Sequence, residues 1–235
     1  MTHWAVVVPF KGVADAKSRL SGSLDDDERA AIALAFLVDT VSAVSQVPAV
    51  TSVIVVSNQP GLAAILGSEA RVIADPGGGI NAAVASGLAD ARAEAPDAGT
   101  AAITGDLAAL RPADLAEAFA LAEAAATTGS RLAFVPDREG SGTTMVAFAP
   151  GAHAPTRFGI GSCAAHTAAG YRPLAVPAES SLRLDIDDSD DLEQSRLLGL
   201  GEATRAVLEQ RVRPRSSDPA TRPVHVPGAG RGRAR

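Results

Sequence analysis

The regular alternation of short apolar runs with longer helical segments constrains the fold of this chain more than any other feature. The apolar runs are rich in Val, Ile and Ala, as buried strands are, and lie at residues 5–10, 50–57, 70–75, 100–106 and 131–137. Segments 25–47, 80–93 and 112–126 carry apolar residues three and four positions apart, which is typical of amphipathic helices. This alternation predicts a Rossmann-like α/β fold, with a mainly parallel sheet and helices on both of its faces.

The pattern changes after Pro136, where the predicted elements become shorter. A strand is expected at 143–150, then a glycine-rich loop at 157–161, a short helix, a strand at 182–187 and a final helix. We expect these pieces to cover a ligand site, which in such folds lies beyond the carboxyl ends of the parallel strands. From residue 213 onward Pro, Gly, Ser and Arg dominate without an apolar period. The sequence therefore predicts one domain over residues 1–212 and a disordered tail over 213–235.

Charge is distributed unevenly along the chain. The formal net charge is −6, but residues 211–235 carry seven arginines and one aspartate, which leaves −12 on the rest. An acidic body argues against a nucleic-acid partner, because nucleic-acid surfaces are bound by neutralising phosphates with Lys and Arg. The two lysines, Lys11 and Lys17, both follow the first strand. Lysine is thus confined to one place, where a phosphate could bind.

The compartment and the assembly state are less constrained by the residues. The single cysteine, Cys163, cannot form an internal disulfide, which fits a reducing compartment and predicts a cytoplasmic protein. The apolar run near the N-terminus is far too short to span a bilayer, so no membrane association is expected. A homodimer is compatible with the sequence, which leaves the oligomeric state open.

The first candidate site is a cluster of cations after the first strand. Lys11, Lys17 and Arg19 lie within nine residues at the predicted carboxyl end of that strand. Such a cluster could bind the phosphates of a nucleotide and act in catalysis. Neither a P-loop nor a dinucleotide-binding glycine motif is present. The alternative interpretation is a solvated loop.

The second candidate is Asp106, which follows a small, apolar strand and a glycine. A carboxylate at this strand end faces the ligand crevice, where Mg²⁺ usually takes one or two carboxylates together with substrate phosphates. Asp106 could instead cap the next helix. That helix is expected to begin near Pro112, because proline suits the first helical position. The sequence therefore favours Asp106 as a metal ligand and catalytic residue.

The acidic segment LRLDIDDSDDL is the third candidate. Asp185 and Asp187 alternate along a predicted strand, so they should point to one face. Two such carboxylates repel each other unless a cation lies between them, which indicates a metal site. The acidic residues that follow fit the cap and first turn of a helix better; these are Asp188, Asp190 and Asp191.

Two glycine-containing regions could hold substrates. In the segments EGSGTTMVAF and RFGIGSCAAH, the backbone at Gly159 and the hydroxyls of Thr143 and Ser162 could contact a phosphate or carboxylate of a ligand, although ordinary turns explain the same pattern. In the loop DPGGGIN, Asp75, Gly78 and Asn81 could line a nucleotide, with Asn81 bonding a base edge. An ordinary turn explains this loop nearly as well. The four histidines share no ligand spacing and are interpreted as structural or exposed.

These motifs, in this order, resemble a known family. The segments PFKGVADAKSRLSG, ITGDLAAL, REGSGTTMVAF, RFGIGSCAAH and LRLDIDDSDDL are similar to those of the phosphoenolpyruvate or 2-phospho-L-lactate guanylyltransferases of coenzyme F420 biosynthesis, over about residues 4–210. The resemblance implies a nucleotidyltransferase fold, related to that of the molybdenum-cofactor guanylyltransferases. It places the family's metal carboxylates on Asp106, Asp185 and Asp187, and its contacts to the acid on Thr143, Gly159 and Ser162. A proline that is usual in the family is replaced here by Ala108.

The resemblance also implies substrates and a cofactor. GTP and a small phosphorylated three-carbon acid would react with the help of Mg²⁺ and release pyrophosphate. Two alternatives stay open at the level of sequence. One is a nucleotidyltransferase that acts on a sugar phosphate or on molybdopterin, and the other is a nucleotide-binding module without turnover.

Overall fold

In the computed structural model, residues 2–12 and 25–212 are described, except for the side chains of Arg211 and Val212. The strands are β1 (Trp4–Pro9), β2 (Val50–Val56), β3 (Arg71–Ile73), β4 (Gly99–Ile103), β5 (Leu132–Pro136), β6 (Thr143–Phe148) and β7 (Arg172–Pro173). The helices are α1 (Asp26–Ser45), α2 (Leu62–Leu66), α3 (Ile80–Glu94), α4 (Pro112–Thr127), α5 (Ser162–Ala168), α6 (Ser189–Leu198) and α7 (Glu202–Val212). The predicted tail lies outside the described residues.

The strands form one mixed, mainly parallel sheet in the order β3-β2-β1-β4-β6-β5-β7. β6 pairs antiparallel with β4 and with β5, whereas every other pair in the sheet is parallel. Because β6 runs in the opposite direction, its first residue, Thr143, lies at the edge where β4 and β5 end. The sheet thus confirms the predicted α/β architecture and brings the start of β6 to the ligand-binding edge.

The sheet is buried on both faces, as its unbroken apolar strands predict. Val6 and Val8 of β1 belong to a core on one face with residues of α1 and α4, where Trp4 also stacks on Phe119 at a ring distance of 4.5 Å. Ala5 and Val7 belong to a second core on the other face, together with residues of α3. In the described part of the chain, no helix is both long enough and apolar enough to cross a bilayer.

The last helix is attached to the first by a buried carboxylate. Asp39 of α1 is 8% exposed, and its two oxygens accept hydrogen bonds from the backbone N–H groups of Ala203 (2.9 Å) and Thr204 (2.8 Å). These N–H groups belong to the first turn of α7, where negative charge is favourable. α7 is therefore held against α1 by a contact that spans most of the chain.

The segment LRLDID does not form the predicted strand. A 3-10 turn at Ser181–Arg183 is followed by irregular chain up to α6. The backbone N–H of Ser181 donates to the Asp114 carboxylate (2.7 Å), and that of Ile186 donates to the carbonyl oxygen of Asp106 (3.2 Å). The strand prediction was wrong because irregular chain satisfies part of the segment's backbone, through the bond from Ile186 and through the carbonyl oxygen of Arg183, which accepts from the N–H of Arg138 (2.7 Å).

Candidate active site

A cleft of about 420 Å³ opens at the carboxyl edge of the parallel strands. Three segments that follow β1, β3 and β4 line it, together with part of α1. The β1 segment contributes Phe10 and Lys11, and the β4 segment contributes Asp106. Phe36 of α1 and the partly exposed Ile80 at the start of α3 form an apolar wall. Apolar walls with a few convergent polar groups are typical of sites for small ligands.

Lys11 lies at the mouth of this cleft, directly after the first strand. The backbone N–H of Phe10 still donates to the carbonyl oxygen of Val56 (2.9 Å), so the chain leaves the sheet at Lys11. The ammonium group of this exposed residue is therefore placed beside the cleft rather than within the core. Lys17 and Arg19 lie outside the described residues.

The loop after β3 is fixed by its own polar contacts. The side chain of Asn58 accepts from the backbone N–H of Asp75 (3.1 Å) and donates to its carbonyl oxygen (2.9 Å). The Asp75 carboxylate accepts from the N–H of Gly77 (2.8 Å). Gly77, Gly78 and Gly79 follow with φ angles of 78°, 84° and 90°, which non-glycine residues rarely adopt. Backbone without side chains therefore lines the cleft next to the apolar wall, and such a surface suits the flat base of a nucleotide.

Asn81, at the start of α3, has partners within the protein. Its side-chain oxygen accepts from the Thr156 hydroxyl (2.8 Å) and from the N–H of Phe158 (2.9 Å). Its amide donates to the carbonyl oxygen of Phe158 (2.9 Å). These bonds occupy both acceptor positions of the side chain and leave at most one N–H for a base. Base recognition by Asn81 stays a prediction. The contacts show that Asn81 joins the glycine loop, residues 77–79, to the loop at 157–161.

Three of the predicted acidic residues are brought together beyond the end of β4, where Asp106 lines the cleft. The hydrogen bond from Ile186 to Asp106 holds the 185–187 segment against the end of β4. Burial, together with the smaller effects of the nearby charges of Asp106, Asp187 and Asp137, raises the pKa of Asp185 to about 8. One oxygen of Asp106 is buried, while Asp187 is exposed. Because α4 begins at Pro112, Asp106 is not its N-cap.

This concentration of negative charge fits a divalent cation. Carboxylate oxygens are the ligands that Mg²⁺ prefers, and a cation would relieve the repulsion that raises the pKa of Asp185. Among the described residues, no three His, Cys, Asp or Glu side chains are already arranged to hold a metal ion. Mg²⁺ does not require such a set, since it usually completes its shell with water and substrate phosphates.

The neighbouring acidic residues have the structural task predicted for them. The Asp188 carboxylate accepts from the N–H groups of Asp190 (2.9 Å) and Asp191 (3.1 Å) at the start of α6. The Asp191 carboxylate accepts in return from the N–H groups of Asp187 (3.0 Å) and Asp188 (3.2 Å). This capping box also fixes the backbone at Asp187.

The predicted contacts to a small acid lie around the start of β6. Thr143 and Ser162 are both buried, and Gly159 has a φ of 126° that requires glycine. The N–H of Cys163 donates to the carbonyl oxygen of Ser141 (3.2 Å), which draws α5 onto the β5–β6 loop. His166 of α5 reaches the Thr143 hydroxyl with its Nδ1 atom (3.1 Å).

Sequence reasoning did not single out two residues of this region. His166 was interpreted as structural or exposed, and its complete burial agrees with the structural interpretation. It lies one helical turn after Ser162 and so on the same face of α5. Asp137 directly follows β5, just as Asp106 follows β4, and contributes to the raised pKa of Asp185. Its carboxylate accepts from the N–H groups of Ser141 (2.9 Å) and Gly142 (2.6 Å). The signal in the sequence that could have identified Asp137 as a site residue is its position at the end of a predicted strand.

Comparison with known proteins gives a consistent result. The model of the family described as "Guanylyl transferase CofC like" matches residues 4–222. A phosphoenolpyruvate guanylyltransferase of Streptomyces coelicolor is 46% identical over 207 residues, which is 87% of this chain and 95% of that protein. Another, from Salinispora arenicola, is 45% identical and covers 86% of this chain and 91% of its own length.

Solved structures resemble the fold at much lower identity. A protein described as a nucleotide-diphospho-sugar transferase, from Desulfovibrio desulfuricans G20, has a TM-score of 0.67 at 15% identity and covers 90% of this chain and 96% of its own. A 4-diphosphocytidyl-2C-methyl-D-erythritol synthase has a TM-score of 0.55 at 16% identity, over 84% of this chain and 99% of its own. Both likenesses support the nucleotidyltransferase fold.

Proposed function

The chain belongs to the CofC-like guanylyl transferase family, and from this we propose that it transfers GMP from GTP to phosphoenolpyruvate, or to 2-phospho-L-lactate, in coenzyme F420 biosynthesis. The observation that carries the proposal is the match to relatives named phosphoenolpyruvate guanylyltransferase over 87% of the chain. The cleft supports it, because an apolar wall, a glycine loop and an acidic cluster lie at one edge of the sheet.

The reaction needs no nucleophile from the protein. An oxygen of the acid's phosphate is already ionised at neutral pH, and it attacks the α-phosphorus of GTP. A new bond forms between this oxygen and the α-phosphorus, while the bond from the α-phosphorus to the bridging oxygen breaks and pyrophosphate leaves. Catalysis then consists of holding the two phosphates in line and stabilising the developing charge.

The chain provides groups for both tasks. Asp106, Asp185 and Asp187 would hold Mg²⁺, which supplies positive charge to the phosphate oxygens when it is bound. Lys11, which lines the cleft, would stabilise the departing pyrophosphate, together with Lys17 and Arg19, which follow it in the sequence. In this proposal the β3–α3 loop, with Asp75, Gly78 and Asn81, holds the nucleotide.

The acid would bind on the β6 side of the cleft. Thr143 and Ser162 offer hydroxyl groups that can donate to its carboxylate, and Gly159 lets the backbone approach it closely. Phosphoenolpyruvate and 2-phospho-L-lactate share a carboxylate next to the carbon that carries the phosphate. The site is therefore proposed to recognise this shared arrangement.

Pyrophosphate release by the purified protein tests the function. The protein is incubated with GTP, Mg²⁺ and, in turn, phosphoenolpyruvate, 2-phospho-L-lactate or 3-phosphoglycerate, with ATP as the control nucleotide. Release with GTP and one of the first two acids is expected, and mass spectrometry should show the guanylylated acid. Pyrophosphate release with a sugar phosphate but with none of the three acids would contradict the proposal. Tight GTP binding without any pyrophosphate release would contradict it as well.

A further inference from the structure

His166 is a fully buried polar residue beneath the loop at 157–161. Its side chain is 0% exposed and is packed among three aromatic rings, those of Phe134, Phe158 and Tyr171, at centroid distances of 5.5, 5.6 and 4.9 Å. A buried imidazole is costly unless both ring nitrogens have partners. The nature of these partners therefore determines which nitrogen carries the proton.

The hydrogen bonds identify the tautomer. The backbone N–H of Arg157 donates to Nε2 of His166 (2.9 Å), so this nitrogen must be the acceptor. In a neutral ring the proton is then on Nδ1, which lies 3.1 Å from the hydroxyl oxygen of Thr143. The acceptor role of Nε2 requires a neutral ring. In agreement with this, burial lowers the pKa of His166, as does the positive charge of Arg157 to a smaller extent, while a hydrogen bond with the backbone of Ser162 opposes the shift.

This tautomer fixes the role of the Thr143 hydroxyl. Because its oxygen accepts the proton of Nδ1, its own hydrogen must be directed elsewhere. Thr143 is the first residue of β6, and the adjacent carbonyl oxygen of Thr144 accepts from the N–H of Thr104 (2.9 Å), two residues before Asp106. Thr143 therefore lies at the sheet edge that carries the acidic cluster.

We propose that His166 is a positioning residue for the acid substrate: its Nδ1–H group orients the Thr143 hydroxyl as a donor to the carboxylate, while Nε2 holds the Arg157 backbone and thus the loop containing Gly159. This inference rests on the proposed function. A neutral imidazole with a fixed tautomer is required for it, since a threonine hydroxyl alone can rotate and either donate or accept.

Two matched substitutions test the roles of the two ring nitrogens separately. Asn in place of His166 offers a side-chain N–H near the position of Nδ1, whereas Gln offers an oxygen near the position of Nε2. Both remove the ring, so both lose the aromatic packing. His166→Gln is expected to raise the KM for the acid about ten-fold, which is the effect of one hydrogen bond to a charged group. His166→Asn keeps the donor to Thr143 and loses only the acceptor for the Arg157 N–H, a bond between uncharged groups, so a smaller increase of about three-fold is expected. The KM for GTP should change in neither variant.

A double-mutant cycle with Thr143→Val tests whether the effect passes through the hydroxyl. In that background His166→Gln is expected to cause no further increase in the KM for the acid. If the two substitutions raise the KM for the acid independently, so that their fold-changes multiply, the role of His166 is merely structural and the proposal is overturned. Equal increases in the KM for the acid and in the KM for GTP would overturn it in the same way. A wild-type protein that turns over no acid would instead overturn the proposed function, and this assignment with it.

The tautomer can be measured even if the variants fold poorly. In wild-type protein labelled with ¹⁵N, a long-range ¹H–¹⁵N correlation spectrum at pH 7 should show His166 with a protonated Nδ1 and an unprotonated Nε2. The opposite tautomer, or a doubly protonated ring, would overturn the proposal without any kinetic measurement.

Discussion

Asp187 is the acidic residue through which the chemistry can be tested most cleanly, because it is exposed and its loss should not disturb the core. We expect Asp187→Asn to lower kcat by about 100-fold or more, as removal of a preorganised electrostatic group does. Turnover is measured as pyrophosphate release at saturating Mg²⁺. Asp190→Asn is the matched control, since Asp190 is an exposed aspartate in the first turn of α6. Near-normal turnover of Asp187→Asn would remove this residue from the proposed metal site.

Asp185 links the acidic cluster to the pH dependence of stability. Its pKa is raised from 3.8 to about 8 in the folded protein. Between these values the folded state keeps a proton that the unfolded state has lost, so the free energy of unfolding falls as pH rises through this window. Removing the charge with Asp185→Asn should stabilise the metal-free protein at pH 8, by about 2–4 °C in Tm for a gain of about 1 kcal/mol.

Thermal unfolding followed by circular dichroism at pH 5 and pH 8, in the presence of EDTA, measures this effect. The difference between Asp185→Asn and wild type should be larger at pH 8 than at pH 5. Adding Mg²⁺ at pH 8 should raise the Tm of wild type more than that of the variant, because a bound ion stabilises the folded state. A variant that is less stable than wild type at pH 8 would contradict the repulsion inferred here.

At the scale of elements, α3 approaches the sheet more closely than an ordinary helix can. A Cβ atom on Gly87 would lie within 3.0 Å of methyl carbons of both Val7 and Val56. Gly87→Ala should therefore destabilise the fold by about 1–3 kcal/mol through overpacking, even though alanine is the better helix former. Urea unfolding gives the free energy of unfolding.

The control for Gly87 is the reverse substitution on the exposed side of the same helix. Ala89 is exposed, so Ala89→Gly should cost about 1 kcal/mol through helix propensity alone. Both substitutions are thus expected to lower the free energy of unfolding, Gly87→Ala through overpacking and Ala89→Gly through the poor helix propensity of glycine. A more stable Gly87→Ala variant would show that α3 can move away from the sheet, and the glycine loop at its N-terminus would then be less firmly placed.

At the scale of the whole molecule, the chain up to Val212 is proposed to contain everything that turnover requires. A chain that ends after Val212, the last residue of α7, should keep kcat and KM within about two-fold, because composition predicts no packed structure beyond it. A chain that ends after residue 222, where the family match ends, is the matched control. Activity in the longer chain but not in the shorter one would contradict the domain boundary.

The sequence by itself determined the elements whose burial and end signals are local. Apolar runs predicted β1 and β4, Pro112 predicted the start of α4, and the acidic run after Asp187 predicted the cap of α6. Asp106 was predicted as a site residue in the same way, since it follows a buried strand at the edge where ligands bind. Periodicity and capping depend on residues within a few positions of one another, so a single sequence can report them.

The tertiary structure alone decided the partners of irregular segments. Asn81 bonds to Phe158, 77 residues away, and so holds the loop at 157–161. The segment around Asp185 is irregular because Asp106 and Asp114 satisfy its backbone. His166 is held in one orientation because Thr143 and Arg157 contact its two ring nitrogens in the core. Hydrogen bonds between distant residues leave no periodic trace in the sequence, and therefore the environment of these side chains followed from the folded chain alone.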